Sequence, residues 1–153
     1  MIGAGGCAQD SEIALLAEEV GRLLARAGAT VICGGREGVV EAVSRGVAQA
    51  GGEVIGIVPG SSPEEANPFC THVVASGIGH ARNLAVVASG EVVIAVGGEW
   101  GTLSEIGHAR AIGRTVVALR SWSLAGRERM AGAPGVVQAE TPDEAVAAAL
   151  EAL

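Results

Sequence analysis

The chain has 153 residues, a mass of 15.1 kDa and a formal net charge of −7, with 17 acidic residues against 10 basic ones. That is the size of one domain, spanning 1–153, and the acidic balance argues against wrapping nucleic acid or an anionic membrane surface. Every basic residue is Arg, which excludes Schiff-base lysine chemistry and a Walker-type phosphate loop, both of which need a Lys.

Apolar residues make up 49% of the chain, enough for a proper core. One Phe, two Trp and no Tyr leave that core to Val, Ala, Leu and Ile. Cys7, Cys33 and Cys70 are odd in number and lack C-x-x-C spacing, which reads as reduced thiols in a cytoplasmic protein. No paired Cys/His signature points to a metal site. Met1 to Gly6 shows no basic region or long apolar stretch of a secretion signal, and no apolar run approaches the ~18 residues of a membrane-spanning helix.

In chain order, Met1 to Ala4 makes a short first strand before a glycine turn. Glu12 to Ala27 reads as a helix, with Leu15, Leu16, Val20, Leu23 and Leu24 on one face, Asp10 or Ser11 as its cap and Gly28 at its end. Val31–Cys33 is a strand, Val39–Ala50 a second helix opening after Gly38, and Glu53–Val58 a buried strand. Pro59 to Cys70 is a loop, followed by a short strand His72–Val74 and a helix from Gly79 to Ser89. Glu91–Val96 is the most apolar strand. A helix from Gly101 to Ile112 and a strand Thr115–Leu119 follow. Residues 120–135 are irregular, Val136–Gln138 is a weak strand, and Thr141-Pro142-Asp143-Glu144 opens a last helix with a cap and a Pro at its first position. Strands alternating with helices specify an α/β, doubly wound fold with a mostly parallel sheet covered on both faces.

Glycine fills 24 positions and clusters where strands end. The turns are Gly3-Ala4-Gly5-Gly6, Gly34-Gly35-Arg36-Glu37-Gly38 and Gly97-Gly98-Glu99-Trp100-Gly101-Thr102. In an open α/β sheet ligands sit outside the carboxyl ends of the strands. A glycine turn entering a helix there offers backbone N–H groups and a helix dipole to an anion. The three turns are therefore candidate phosphate cradles.

The run Gly97-Gly98-Glu99-Trp100-Gly101-Thr102-Leu103-Ser104-Glu105 resembles the P-G-G-x-G-T-x-x-E signature of the LOG (Lonely Guy) proteins, long mislabelled lysine decarboxylases. Gly79-His80-Ala81-Arg82-Asn83 falls where that family carries an Arg at a helix start, and Gly34 to Ala42 is similar to its G-G-x-x-G-x-M-x-A segment. Pro63 to Pro68 and Gly77 to Asn83 resemble a branch of small proteins related to the DNA-processing proteins (DprA/Smf) and similar to molybdenum cofactor carrier proteins. The resemblance implies a Rossmann-like fold, a homodimer or dimer of dimers, and a nucleotide-like phosphorylated ligand, either a nucleoside monophosphate or a molybdopterin-type cofactor. In the enzymes of the family the reaction is N-glycosidic cleavage of a nucleoside 5′-monophosphate. On that pattern Gly98, Gly101 and Thr102 match the phosphate loop, and Arg82 and Glu105 match the catalytic pair. This chain departs from it at three points: Gly97 stands for Pro, Glu99 for the second Gly, and Asn83 where a Lys often follows the Arg. Glu99 would repel a phosphate unless turned away. The departures favour a ligand carrier or sensor over a phosphoribohydrolase.

The ligand-binding candidates are thus Gly5, Gly6, Gly35, Arg36, Gly98, Gly101 and Thr102, with Arg82 and Glu105 as catalytic candidates. Arg82 and Arg36 suit an anion because a guanidinium binds phosphate in a bidentate way. Thr102 and Glu105 also have T-x-x-E spacing, so a helix-capping box is an alternative reading of both. Trp100 is placed either to stack on a planar ligand or to pack against another subunit. Cys7 reads as a small apolar residue, and His80 draws interest only because it adjoins Arg82.

Overall fold

The computed structural model describes residues 1–123 and 135–153. Its elements are β1 (Ile2–Gly3), α1 (Glu12–Arg26), β2 (Val31–Cys33), α2 (Val39–Gln49), β3 (Val54–Val58), β4 (His72–Ala75), α3 (Arg82–Ser89), β5 (Val92–Val96), α4 (Trp100–Ala111), β6 (Thr115–Leu119), β7 (Val136–Ala139) and α5 (Pro142–Glu151). The expectation that 120–135 is irregular falls mostly outside the described residues.

All strand pairs recorded are parallel, in two runs, β1-β5-β6-β7 and β2-β3-β4. The runs meet where the Met1 amino nitrogen donates to the Ile32 carbonyl at 2.7 Å. The order across that seam reads β4-β3-β2-β1-β5-β6-β7. Chain progression reverses direction at β1, which makes the space outside β1, β2 and β5 the topological switch point. The structure thus has the α/β, Rossmann-like form with helices over parallel strands.

The strands are buried as their runs of Val, Ile and Ala require of a doubly covered sheet. Val93 to Val96 and Val116 to Leu119 are almost wholly inaccessible. One core cluster joins α1, α2 and α5 to the sheet, and a second lies under α3 and α4. Among the described residues no helix is long and apolar enough to cross a membrane.

Several boundaries differ from the sequence reading. Ser11, not Asp10, caps α1, with Ala14 N–H donating to Ser11 Oγ at 3.3 Å. The segment from Gly79 is a 3₁₀ turn over Gly79–Ala81, and the α-helix begins only at Arg82. The Pro59–Cys70 loop contains a 3₁₀ turn, Pro63–Glu65, capped by Ser62. The weak strand at Val136 is a full parallel partner of β6, from Val136 to Ala139.

Helices α1 and α2 cross closely because glycine removes the side chain where their backbones meet. A Cβ at Gly46 would collide with the Glu18 carbonyl oxygen, and one at Gly21 with the Val43 carbonyl oxygen. Neither obstacle is a side chain that could rotate away. Gly46→Ala should therefore cost roughly 1–3 kcal/mol by overpacking, despite the better helix propensity of Ala. Thermal denaturation is the check, at about 2–4 °C per kcal/mol for a chain of this size.

Candidate functional site

The turns after β1, β2 and β5 converge with the start of α3 and the first turns of α4 around a cavity of about 390 Å³. Its walls include Gly3, Gly5, Gly34, Arg36, Glu37, His80, Arg82, Asn83, Glu99, Gly101, Thr102 and Glu105. A second cavity, about 460 Å³, lies at the opposite, amino-terminal end of the strands among Leu24, Ala29, Ile32, Val86 and Leu150, away from every residue named for chemistry.

Of the residues singled out from sequence, the fold brings Gly5, Arg36, Gly101, Thr102, Arg82 and Glu105 together on the first cavity's walls. Gly6, Gly35 and Gly98 are not among them. Gly35 is buried behind its turn, against Val58 and Gly56. Gly98 is covered by Thr102, whose Cβ lies 2.7 Å from a Cβ built at Gly98. Gly6 is exposed just outside the lining, with a Glu99 carboxylate oxygen 3.7 Å from its Cβ position.

Arg82 sits at the first residue of α3, and its guanidinium is seated against Gly34. A Cβ on Gly34 would strike Nη1 and approach Cζ to 2.9 Å. Gly34 is therefore the side-chain-free surface on which Arg82 rests, a role that the residue spacing did not reveal. The Arg82 Nε is buried and has no hydrogen-bond partner among the described residues. Burial lowers the Arg82 pKa, Glu105 and Cys33 oppose that, and Arg36 adds to it. Arg36, at the neighbouring turn, is exposed.

Glu105 is buried at 9% exposure on the inner face of α4. Burial raises its pKa above the ordinary carboxylate value, and Arg82 offsets part of that. No direct salt bridge joins the two among the described residues. The capping-box reading of Thr102 and Glu105 does not hold. Helix α4 begins at Trp100 with Glu99 as its N-cap residue, so Thr102 lies inside the first turn and is 3% exposed.

Glu99 does not turn away from the turns, since it lines the cavity and its carboxylate reaches toward Gly6. Its carbonyl accepts a hydrogen bond from Trp122 Nε1 at 3.2 Å. Trp122 in turn lies tilted against Trp100, ring centroids 5.3 Å apart. Trp100 is 77% exposed and is not among the cavity's lining residues, although Glu99 and Gly101 on either side of it are. Cys7 is partly buried on the first turn. His80 is exposed at the rim.

A model of the SLOG cluster4 family matches residues 1–146. The chain belongs to this family. A protein of Archaeoglobus fulgidus, described only as uncharacterized, is 38% identical over 150 residues, covering 95% of this chain and 89% of that one. Among solved structures, the molybdenum cofactor binding protein of Rippkaea orientalis is 32% identical with a TM-score of 0.85, over 98% of this chain and 93% of that one. The molybdenum cofactor carrier protein of Chlamydomonas reinhardtii is 30% identical with a TM-score of 0.83, over 98% and 93%. The DNA processing protein A of Helicobacter pylori, at 15% identity and a TM-score of 0.70 over 98% and 79%, shares the fold alone.

A carboxylate whose pKa is raised in the folded state keeps a proton that the unfolded chain gives up. Its cost to stability is absent below the unfolded value, 4.5, and grows as pH rises through the folded value. Glu105→Gln should therefore raise the melting temperature at pH 7.5, and the gain should fade as the pH is lowered toward 4. Melting curves of both proteins across that range test the sign.

Proposed function

We propose that the protein is a carrier of a molybdenum cofactor-type ligand, a phosphate-bearing pterin held in the cavity at the switch point. Arg82 faces the phosphate, with Arg36 at the rim, and Gly5 and Gly101 offer backbone close to the ligand. The observation that carries the reading is the half-buried Arg82 guanidinium with its Nε unpaired, set in the cavity wall. An arginine left in this state favours an anion that completes its hydrogen bonds. The cavity volume, about 390 Å³, falls in the usual range for small-ligand sites. Solved structures at 32% and 30% identity, whose names state molybdenum cofactor binding and molybdenum cofactor carriage, support the ligand class. Trp100, exposed and next in sequence to the lining residues Glu99 and Gly101, suits stacking on a planar ring system.

A second reading, a LOG-type phosphoribohydrolase, is favoured by one observation, the buried Glu105 with its raised pKa facing Arg82. A buried carboxylate with a raised pKa beside a cation is a familiar arrangement for acid–base work. The third glycine turn weighs against it. Gly97 has φ +58°, whereas proline is held near −65°. The turn here follows a backbone path closed to the Pro of the enzyme signature.

The test is to express the chain in a host that makes the cofactor, purify it, release and oxidise any bound molecule, and read pterin fluorescence. Pterin near one per chain is expected, falling at least about tenfold in Arg82→Ala through loss of a charge-assisted phosphate contact. A preparation free of pterin overturns the carrier reading. In parallel, incubation with adenosine 5′-monophosphate should release no adenine beyond the buffer control. Release that is lost in Glu105→Gln would establish the enzyme instead.

A further inference from the structure

Two cysteines lie at the ends of a hydrogen-bonded clasp on the Arg36 turn. Cys33 ends β2 and leads into Gly34 and Gly35. Cys70 ends the loop that holds this turn from the other side. Asn67 N–H donates to the Gly35 carbonyl at 2.7 Å, and Asn67 Nδ2 donates to the Arg36 carbonyl at 3.0 Å. Cys70 N–H donates to the Asn67 carbonyl at 3.3 Å, closing the loop on itself.

The sheet brings the two sulfurs together. Cys33 is in register with Gly56 across the β2–β3 ladder, so both residues face the same side. Gly56 has no side chain, and Cys70 Sγ takes the space, 2.7 Å from where a Gly56 Cβ would stand. The Cys70 thiol is thereby delivered to the side of the sheet that Cys33 faces. Gly35 N–H also donates to Cys33 Sγ at 3.4 Å, and Ser44 Oγ lies 3.8 Å from it. Cys33 has no solvent exposure, and Cys70 is partly buried.

We propose that Cys33 and Cys70 are a reversible disulfide site, oxidised by hydrogen peroxide, that locks the Asn67–Cys70 loop onto the Gly34–Arg36 turn of the cavity. The neighbouring Cys70 thiol, aided by Gly35 N–H, draws the Cys33 thiol below its ordinary value against its burial. The Cys33 sulfur and burial together hold Cys70 protonated. When local opening of the Asn67–Cys70 loop admits peroxide, the Cys33 thiolate attacks one of its oxygens, the O–O bond breaks, and the departing hydroxide takes a proton from water or buffer. Cys70 sulfur then attacks the Cys33 sulfenic sulfur, and the S–O bond breaks. The hydroxide leaves with the Cys70 proton as a second water. Two thiols lose two electrons and one peroxide is reduced to two waters. Closing the pair to an S–S bond of ~2.05 Å draws the loop toward the end of β2.

The test uses the whole chain, reduced and then exposed to hydrogen peroxide. The monomer should lose about 2 Da, and an alkylating reagent added after unfolding in denaturant should label Cys7 but neither of the other two. Amide exchange at Gly35 and across Asn67–Cys70 should slow by about tenfold or more, since the cross-link suppresses local opening, and a reductant should restore it. Cys70→Ser should accumulate a Cys33 sulfenic acid, trapped by a 1,3-diketone, with exchange unchanged. Cys33 and Cys70 both alkylated in the unfolded, peroxide-treated chain would overturn the proposal. So would a disulfide that leaves exchange at the turn unaltered.

Discussion

A guanidinium partly withdrawn from water, with one nitrogen left unpaired, is the feature around which the pocket is organised. Arg82 keeps its charge at neutral pH although burial opposes it. Holding it there requires a surface without a side chain at Gly34, a helix that begins at residue 82, and a carboxylate close enough to stabilise the cation. Each requirement comes from a different segment of the chain. The parallel sheet satisfies all three because its switch point collects the ends of β1, β2 and β5 at one place.

The charges in the pocket are kept apart rather than joined. Arg82 and Glu105 influence one another's protonation without a direct salt bridge. A closed pair would satisfy both groups and leave little for a ligand. An open pair leaves hydrogen-bonding capacity on Arg82 and a protonatable group facing it. Glu99 adds a second carboxylate near the first glycine turn. The cavity therefore has a cationic side at Arg82 and Arg36 and an acidic side at Glu99 and Glu105. That polarity suits a ligand with a phosphate at one end and hydrogen-bond donors at the other, and it opposes a uniformly anionic one.

Much of the fold was legible in the residues. Alternating apolar runs and amphipathic helices specified the strands and helices in their correct order, because the burial demands of a doubly covered sheet are local and periodic. The start of α4, read at Gly101 and found at Trp100, was legible to one residue, but the capping of that helix was not. Thr102 and Glu105 have the spacing of a capping box, yet packing of Thr102 over Gly98 places both residues inside the helix. The start of α3 was misread for a similar reason. Glycine at 79 permitted a helix there, but the chain makes one tight 3₁₀ turn first and so sets Arg82 at the helix entrance.

The sequence by itself determined the class of fold, the three glycine turns and the fact that any positive charge must come from Arg. These follow from composition and from patterns a few residues long. Tertiary structure alone decided that Gly5, Arg36, Gly101, Thr102, Arg82 and Glu105 share a cavity while Gly6, Gly35 and Gly98 stay off its walls. It also decided that Gly34 supports Arg82 and that Gly56 makes room for Cys70. Those are contacts between residues 14 to 48 positions apart in sequence. No local pattern encodes them, because they arise only when parallel strands set distant segments side by side at about 4.8 Å.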